Sequence, residues 1–236
     1  MYPAISAEGL CKTYGSRTAL KGLNLTIAPG TIYGLIGPNG AGKTTTLAIL
    51  AGLRRASTGS AKVLGINVQP NHCGLASRIG FSSPQYPLFD YLSGGEILMT
   101  CGLLHGLPAR QARERGRDLL ELLDLVGVAG HFVHEYSQGM RQKLGLACAM
   151  IHAPSVLLLD EPFEGLDAVS VYRMLHVLRQ IAAGGKTALL SSHDLARVGS
   201  ICHRVGILHE GELKRETDLP GRQADPCQGG TGQAGG

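Results

Sequence analysis

The apolar residues of this chain follow several periods, and each period predicts a different kind of element. Partial alternation at residues 4–14 and 23–28 predicts short β-strands near the N-terminus, followed by turns at 15–16 and 29–30. A continuous apolar run at 156–159 predicts a strand of a parallel sheet that is covered on both faces. Further short apolar runs predict strands at 31–36, 61–64, 79–82, 187–191 and 205–208.

Leucines dominate a long helical stretch in the middle of the sequence. It covers about residues 93–127 and carries an arginine-rich face at 110–117, which is typical of a solvated surface. A second helix is predicted at 138–151, and a third at 168–183 with Asp167 as its N-cap. Strands that alternate with helices predict an α/β fold with a mostly parallel core.

The sequence predicts one domain at 1–219 with a helical subdomain of about residues 86–150 inserted into its α/β core. Polar turns are predicted at 57–60 and 210–211. The stretch 220–236 is rich in Gly and Gln without an apolar period, so we expect a disordered tail.

One segment carries the motif G-x-x-x-x-G-K-T, between a predicted strand and a helix predicted at 44–53. Its glycines allow positive φ angles and a close backbone approach, so that successive N–H groups can converge on phosphate oxygens. Lys43 adds a point charge for the outer phosphates, and the Thr44 hydroxyl suits a Mg²⁺ ion. The motif consists of Gly37, Pro38, Asn39, Gly40, Ala41, Gly42, Lys43, Thr44 and Thr45. It predicts binding of a nucleotide phosphate, because a plain glycine-rich turn does not explain the lysine.

Three further side chains are expected at the same edge of the sheet. Asp160 ends the buried strand, where open α/β sheets bind ligands, and it can hold Mg²⁺ together with Thr44. Glu161 comes next and can orient or deprotonate a water molecule. His193 follows the strand at 187–191 and falls where a γ-phosphate contact is needed. An Asp-Glu pair alone would indicate only a turn, and a lone histidine is usually structural; the phosphate loop favours the functional roles.

The composition indicates the redox compartment of the protein and limits the classes of partner it can bind. The 236 residues hold 22 Lys and Arg against 18 Asp and Glu, and the net charge of +4 is too small to indicate nucleic acid by itself. The six cysteines are irregularly spaced without a C-x-x-C pair, which indicates free thiols in a reducing compartment. Neither a signal-peptide core nor a run of 18 apolar residues occurs, so we expect a chain that does not span a membrane on its own.

In combination and in order, these motifs resemble those of the nucleotide-binding subunit of an ATP-binding cassette (ABC) transporter, over about residues 4–215. The resemblance implies a P-loop NTPase fold with an N-terminal antiparallel β subdomain, and it implies ATP and Mg²⁺ as ligands. Residues 37–45 match the Walker A loop and Asp160 the Walker B aspartate. Glu161 matches the catalytic glutamate and His193 the switch histidine.

The resemblance also assigns residues outside these motifs. Tyr14 matches the aromatic residue that stacks on adenine, and Asp167 lies in the D-loop. Gln85 matches the glutamine that reaches Mg²⁺ and the attacking water. Ser137 and Gly139 lie in the signature segment. The implied catalytic set is Glu161, His193, Gln85 and Lys43, and the implied metal ligands are Thr44, Gln85 and Asp160.

The signature segment departs from the commonest pattern, Leu-Ser-Gly-Gly-Gln. Gln138 replaces its first glycine and Met140 its glutamine. This form resembles the branch that pairs with compact exporter-type membrane subunits, which implies export through a separate integral-membrane permease. The family mechanism implies a homodimer, or a pair with a second ABC subunit, that closes head to tail around ATP. It places the chain in the cytoplasm on the inner face of the cell membrane, without a nucleic-acid partner.

Other hypotheses remain open. A soluble cassette that acts on nucleic acid or ribosomes usually carries two cassettes, long coiled coils or zinc inserts, and this sequence has none of these. A non-hydrolysing regulatory subunit is disfavoured by Glu161 and His193, although the altered signature segment is compatible with it. A GTPase is disfavoured because no Asn-Lys-x-Asp motif occurs.

Two local patterns have competing interpretations. Aromatic residues around Gln85 form either core packing or an apolar groove for a helix of the membrane subunit. These residues are Phe81, Tyr86, Phe89 and Tyr91. His131 and His134 have a spacing that suits a metal ion, but no Cys or carboxylate has matching spacing, so we interpret them as surface histidines.

Overall fold

The computed structural model describes residues 2–70, 72–86 and 88–219, and these residues contain two β-sheets. The first sheet is antiparallel, with the strand order β2-β1-β4-β5. Its strands are β1 (Ile5–Tyr14), β2 (Arg17–Ile27), β4 (Thr58–Val63) and β5 (Ile66–Asn67). The predicted antiparallel N-terminal subdomain is therefore present.

The second sheet has six strands in the order β10-β9-β3-β8-β7-β6, and only β10 runs antiparallel to its neighbour. Its strands are β3 (Ile32–Ile36), β6 (Ile79–Ser82), β7 (Val156–Leu159), β8 (Thr187–Ser192), β9 (Arg204–His209) and β10 (Glu212–Asp218). This is the mostly parallel α/β core that the sequence predicted.

Seven α-helices connect and cover the sheets within the described residues. They are α1 (Lys43–Leu50), α2 (Cys73–Ala76), α3 (Gly94–Leu104), α4 (Ala109–Leu122), α5 (Gln138–Met150), α6 (Ala168–Ala183) and α7 (Leu195–Gly199). Helices α3, α4 and α5 lie between β6 and β7 in the chain, together with two 3₁₀ turns, Val126–Val128 and Val133–Glu135.

Successive side chains of the central strands point to opposite faces of the six-stranded sheet, and both faces are buried. In β7, Leu157 and Leu159 belong to the core beneath the inserted helices, whereas Val156 and Leu158 belong to the core shared with the antiparallel sheet and α1. Strand β3 divides in the same way, with Ile32 facing the first core and Tyr33 the second. A strand with two buried faces has no polar positions, which explains the continuous apolar run.

Several predicted boundaries need correction. The helix predicted at 44–53 ends at Leu50, and the long stretch at 93–127 divides into α3 and α4 around Gly106 and Pro108. The turn predicted at 57–60 lies largely inside β4, because Gly59 lets β4 approach β1 so closely that a Cβ there would lie 2.3 Å from the Gly9 carbonyl oxygen. The short elements β5 and α2 and the polar strand β10 were not predicted.

Other local predictions agree with the structure. Helix α6 has the predicted bounds, and the Asp167 carboxylate accepts a hydrogen bond of 2.8 Å from the Ser170 N–H as its N-cap. Cys11, Cys101 and Cys148 carry free thiols.

The tail predicted at 220–236 lies outside the described residues. In the part of the chain that the structure describes, each helix is too short or too polar to cross a bilayer.

Candidate functional site

The carboxyl ends of β3, β8 and β7 lie side by side and bring three loops together. Ile36 at the end of β3 pairs with Ser192, and Leu159 at the end of β7 pairs with Leu190. The Gly37 N–H donates a hydrogen bond of 3.1 Å to the Ser192 carbonyl oxygen. The phosphate-loop motif, the Asp-Glu pair and His193 therefore meet at one edge of the sheet, where α/β proteins bind ligands.

The motif between β3 and α1 has a backbone that larger residues could not adopt. A Cβ at Gly37 would lie 2.1 Å from the Leu208 carbonyl oxygen. Gly42 has a φ of 109°, and a Cβ there would lie 2.6 Å from the Ala19 carbonyl oxygen. Gly42 is also the N-cap of α1 and supplies no side-chain cap, so the first N–H groups of the helix are available to an anion.

The Glu161 carboxylate lies between Lys43 and His193. The Lys43 Nζ is 3.2 Å from Glu161 Oε1, an ion pair without hydrogen-bond geometry. The His193 Nδ1 is 3.0 Å from Glu161 Oε2. Lys43 also donates hydrogen bonds to the carbonyl oxygens of Gly37, at 2.6 Å, and Pro38, at 3.2 Å. The arrangement sets a carboxylate and an imidazole next to the phosphate loop, as water activation requires.

Asp160 is buried and accepts three hydroxyl hydrogen bonds. Thr44 Oγ1 and Ser83 Oγ donate to its Oδ2, each at 2.8 Å, and Ser191 Oγ donates to its Oδ1 at 2.6 Å. A hydroxyl and a carboxylate oxygen held side by side are hard ligands of the kind that Mg²⁺ prefers.

These residues line a cleft of about 640 Å³, a volume within the usual range for small-molecule sites. Predicted residues in its lining are Tyr14, Asn39, Gly40, Gly42, Lys43, Thr44, Thr45, Gln85, Asp160, Glu161 and His193. The structure thus brings together the phosphate loop, the Asp-Glu pair and His193. Tyr14, at the end of β1, and Gln85, in the loop after β6, line the same cleft.

Two arginines in the lining were missed by the sequence analysis. Arg17 lies against the phosphate loop, so that a Cβ at Gly40 would be 3.1 Å from its guanidinium. Arg54 lies over the Tyr14 ring, with 5.5 Å between its Cζ and the ring centroid. No sequence pattern identifies them, since an arginine that follows a turn or a helix is also typical of a solvated surface.

The predicted signature and D-loop residues lie outside this cleft. Ser137 is the N-cap of α5 and accepts a hydrogen bond of 3.2 Å from the Met140 N–H. A Cβ at Gly139 would lie 3.1 Å from the carbonyl oxygen of Gly165, just before Asp167. The hydrogen bonds from Ser170 lower the pKa of Asp167. The two segments therefore contact each other outside the cleft.

The aromatic residues near Gln85 divide between core and surface. Phe81 packs against the core, and its ring meets Tyr86 edge-on at 5.4 Å. Phe89 and Tyr91 are 70% and 84% exposed, and Phe132 nearby is 48% exposed. We refer to Tyr86, Phe89, Tyr91 and Phe132 as the aromatic patch. Phe81 therefore fits the core-packing interpretation, and a groove for a helix of the membrane subunit stays a prediction for the exposed members.

The two histidines with metal-like spacing have other contacts. The His131 Nδ1 lies 3.5 Å from a Glu135 carboxylate oxygen, and the His134 Nδ1 lies 3.2 Å from the Asp90 carbonyl oxygen. Within residues 2–70, 72–86 and 88–219, no cluster of three or more His, Cys, Asp or Glu side chains is arranged to hold a metal ion.

Known proteins with related sequences and structures share this architecture. Residues 20–164 match the family model described as ABC transporter. An uncharacterized ABC transporter ATP-binding protein of Nostoc sp. is 42% identical over 83% of this chain and 58% of its own length. The daunorubicin resistance ATP-binding protein DrrA2 of Streptomyces coeruleorubidus is 40% identical over 88% of this chain and 65% of its own length. The chain thus spans about three fifths of the length of these two relatives.

A solved structure supports the same relationship at the level of the fold. The dimeric ATP-binding cassette MJ0796, in a post-hydrolysis state bound to ADP and Pi, superimposes with a TM-score of 0.85 at 26% identity. The match covers 92% of this chain and 100% of that one.

Proposed function

The chain belongs to the ABC transporter family, and from that premise we propose that it binds ATP with Mg²⁺ and hydrolyses the ATP to power export through a separate membrane permease. The observation that carries the proposal is the position of Glu161. Its carboxylate is one residue from Asp160 and within 3.2 Å of both Lys43 and His193, at the wall of a cleft large enough for a nucleotide.

The proposal gives a role to the residues of the cleft that the sequence predicted. Backbone N–H groups of the phosphate loop and of the first turn of α1, together with Lys43, bind the phosphates, and Tyr14 stacks on the base. Thr44, Asp160 and Gln85 hold Mg²⁺, because a hydroxyl, a carboxylate and an amide oxygen are hard ligands. Bound Mg²⁺ would neutralise charge on the phosphates.

Hydrolysis is assigned to three side chains of the cleft. Glu161 accepts the proton of the attacking water, and His193 holds the Glu161 carboxylate and contacts the γ-phosphate. Gln85 orients the same water. Positioning and charge stabilisation supply most of the rate acceleration in phosphoryl transfer, so these residues need a fixed geometry more than unusual reactivity.

A second copy, or a paired ABC subunit, completes the site in this proposal. Ser137 and Gly139 stand at the N-terminus of α5, outside the cleft that holds the phosphate loop of the same chain. A head-to-tail pair would bring that helix N-terminus, and Asp167 beside it, to the ATP of the other chain. ATP then acts as a ligand that favours the closed pair.

Export and the membrane partner rest on family relationships. The relative DrrA2 is described as a daunorubicin resistance protein. We infer a partner of the same general kind, an integral-membrane permease, which would hold this chain at the inner face of the cell membrane.

The test is the substitution Glu161→Gln, which preserves shape and removes the proton acceptor. Steady-state ATP turnover should fall by about 10²–10⁴-fold, while ATP still binds. The variant should also accumulate as an ATP-bound dimer on gel filtration. Glu114→Gln, on the exposed surface of α4, is the matched control and should keep wild-type turnover. Continued hydrolysis by the Glu161→Gln variant would contradict the role given to Glu161.

A further inference from the structure

Ser191 joins the two acidic residues of the site through a single oxygen atom. Its Oγ donates to Asp160 Oδ1 at 2.6 Å, and the same Oγ accepts a hydrogen bond of 2.9 Å from the Glu161 N–H. Ser191 lies in β8 beside the end of β7 and is fully buried. Two hydrogen bonds without competing water fix the relative positions of these neighbours.

The backbone of Glu161 needs such support. Glu161 has a φ of 45°, in the left-handed region that residues with a side chain adopt only at an energetic cost. A strained residue persists where its surroundings determine its conformation. The contact with Ser191 is the hydrogen bond that holds the Glu161 N–H, and it directs the side chain towards Lys43 and His193.

Neighbouring serines have different partners, so this arrangement is not a general property of serines in the site. Ser192 follows in β8, and its hydroxyl is hydrogen-bonded to the backbone of Asp194. Ser83 donates to the other Asp160 oxygen, Oδ2, and accepts from the Gln85 N–H at 3.3 Å. Asp160 is thus held from two sides, and only the Ser191 side leads to Glu161.

We propose that Ser191 is a positioning residue for ATP hydrolysis, which holds Glu161 in its strained conformation and aims its carboxylate at the attacking water. This inference rests on the function proposed above. The Ser191 hydroxyl donates its hydrogen bond to Asp160, which leaves a lone pair of the same oxygen for the Glu161 N–H. The residue acts through Glu161 and makes no contact with substrate.

The substitution Ser191→Ala tests the proposal. Turnover at saturating ATP should fall by about 10- to 100-fold, because a small misplacement of a catalytic group is costly, while KM for ATP changes by less than about threefold. Thr187→Ala is the matched control. Thr187 is buried at the opposite end of the same strand, and its hydroxyl accepts the Gly30 N–H. Both variants lose a buried hydroxyl of β8, but only Ser191→Ala should lose turnover.

Two further measurements separate positioning from a general loss of stability. Ser191→Thr retains the hydroxyl on a residue that suits a strand, so it should recover most of the turnover lost in Ser191→Ala. In single-turnover experiments with radiolabelled ATP, adding Ser191→Ala to Glu161→Gln should cause little further loss, since residues that act as a unit are not additive.

The outcomes distinguish this inference from the proposed function. If the wild type hydrolyses ATP and Glu161→Gln does not, but Ser191→Ala retains wild-type turnover, the inference is wrong and the proposed function stands. Equal loss in Ser191→Ala and Thr187→Ala, or full additivity with Glu161→Gln, would also overturn it. If the wild type shows no ATP hydrolysis, the proposed function itself fails.

Discussion

The imidazole rings of His105 and His152 stack with their centroids 3.6 Å apart and their planes within 6° of parallel. His105 follows α3 and His152 follows α5, so the stack joins the ends of two inserted helices. The His152 Nε2 also lies 3.1 Å from the carbonyl oxygen of Ile79 in β6. Burial, and then the charges of His105, Arg115 and Lys186, lower the pKa of His152 from 6.5 to about 4.

This stack should make the protein less stable in mild acid. Between pH 6.5 and about 4 the unfolded chain binds a proton at His152 that the folded chain does not, so acid favours unfolding. The contribution of the neutral His152 ring to the free energy of unfolding is complete above pH 6.5, and it is lost as the pH falls towards the lowered pKa. Because the ring is only partly buried, we expect a loss of about 1–2 kcal/mol in the free energy of unfolding.

Urea unfolding of the wild type and of His152→Phe across this pH range measures the effect. Phenylalanine keeps a ring in the stack but cannot titrate, so the variant should lose less stability in acid. It should be less stable at neutral pH, because it cannot donate the hydrogen bond to the Ile79 carbonyl oxygen. His209→Gln removes an exposed histidine and should keep the wild-type pH dependence. The same slope for His152→Phe and the wild type would exclude His152 as the source.

The sequence predicted those elements of the fold that depend on neighbouring residues in the chain. The strand Val156–Leu159 has both faces buried and therefore no polar position, and its type follows from the residues alone. Helix α6 begins at Asp167 because the carboxylate caps its first turn. The family and the P-loop α/β fold indicated by the motifs are confirmed by the matching family model and by the related cassette structure.

The missed elements depend on contacts between distant segments. Strand β10, Glu212–Asp218, has a mostly polar sequence, and it exists because it pairs with the apolar strand β9. Gly59 resembled a turn residue, but it lies in β4 where β1 comes too close for a side chain. Arg17 and Arg54 belong to the cleft only through the fold. Tyr14 and Gln85 were predicted from the family resemblance, and their functional roles remain predictions.

Arg54 should contribute to nucleotide binding by holding Tyr14. Its guanidinium lies 5.5 Å from the Tyr14 ring centroid, and Lys12 Nζ lies 4.9 Å from the same ring. A cation over an exposed aromatic ring contributes about 0.5–1 kcal/mol, so Arg54→Ala should weaken ATP binding by about two- to fivefold. Isothermal titration calorimetry with Mg²⁺ and a non-hydrolysable ATP analogue measures this change.

The adjacent Arg55 provides the control for this experiment. Arg55 is exposed and does not line the cleft, so Arg55→Ala should bind the analogue as the wild type does. If both variants lose affinity equally, the effect is one of net charge. If Arg54→Ala binds with wild-type affinity, Tyr14 does not depend on Arg54.

The aromatic patch should be the surface that binds the membrane subunit. It exposes large apolar rings, three of which follow within six residues of Gln85 in the chain, and a partner helix that covered these rings would bury apolar area that water now contacts. Phe89→Asp should abolish association with membranes, because a carboxylate in an apolar interface is desolvated without a partner. ATP-analogue binding should be unchanged, since Phe89 does not line the cleft.

The measurement is the fraction of chain that pellets with membrane vesicles of the native host and is released by detergent. Leu104→Asp places the same charge on a residue of α3 that is 80% exposed, and it should pellet normally. Equal pelleting of the two variants would mean that the patch is not the docking surface.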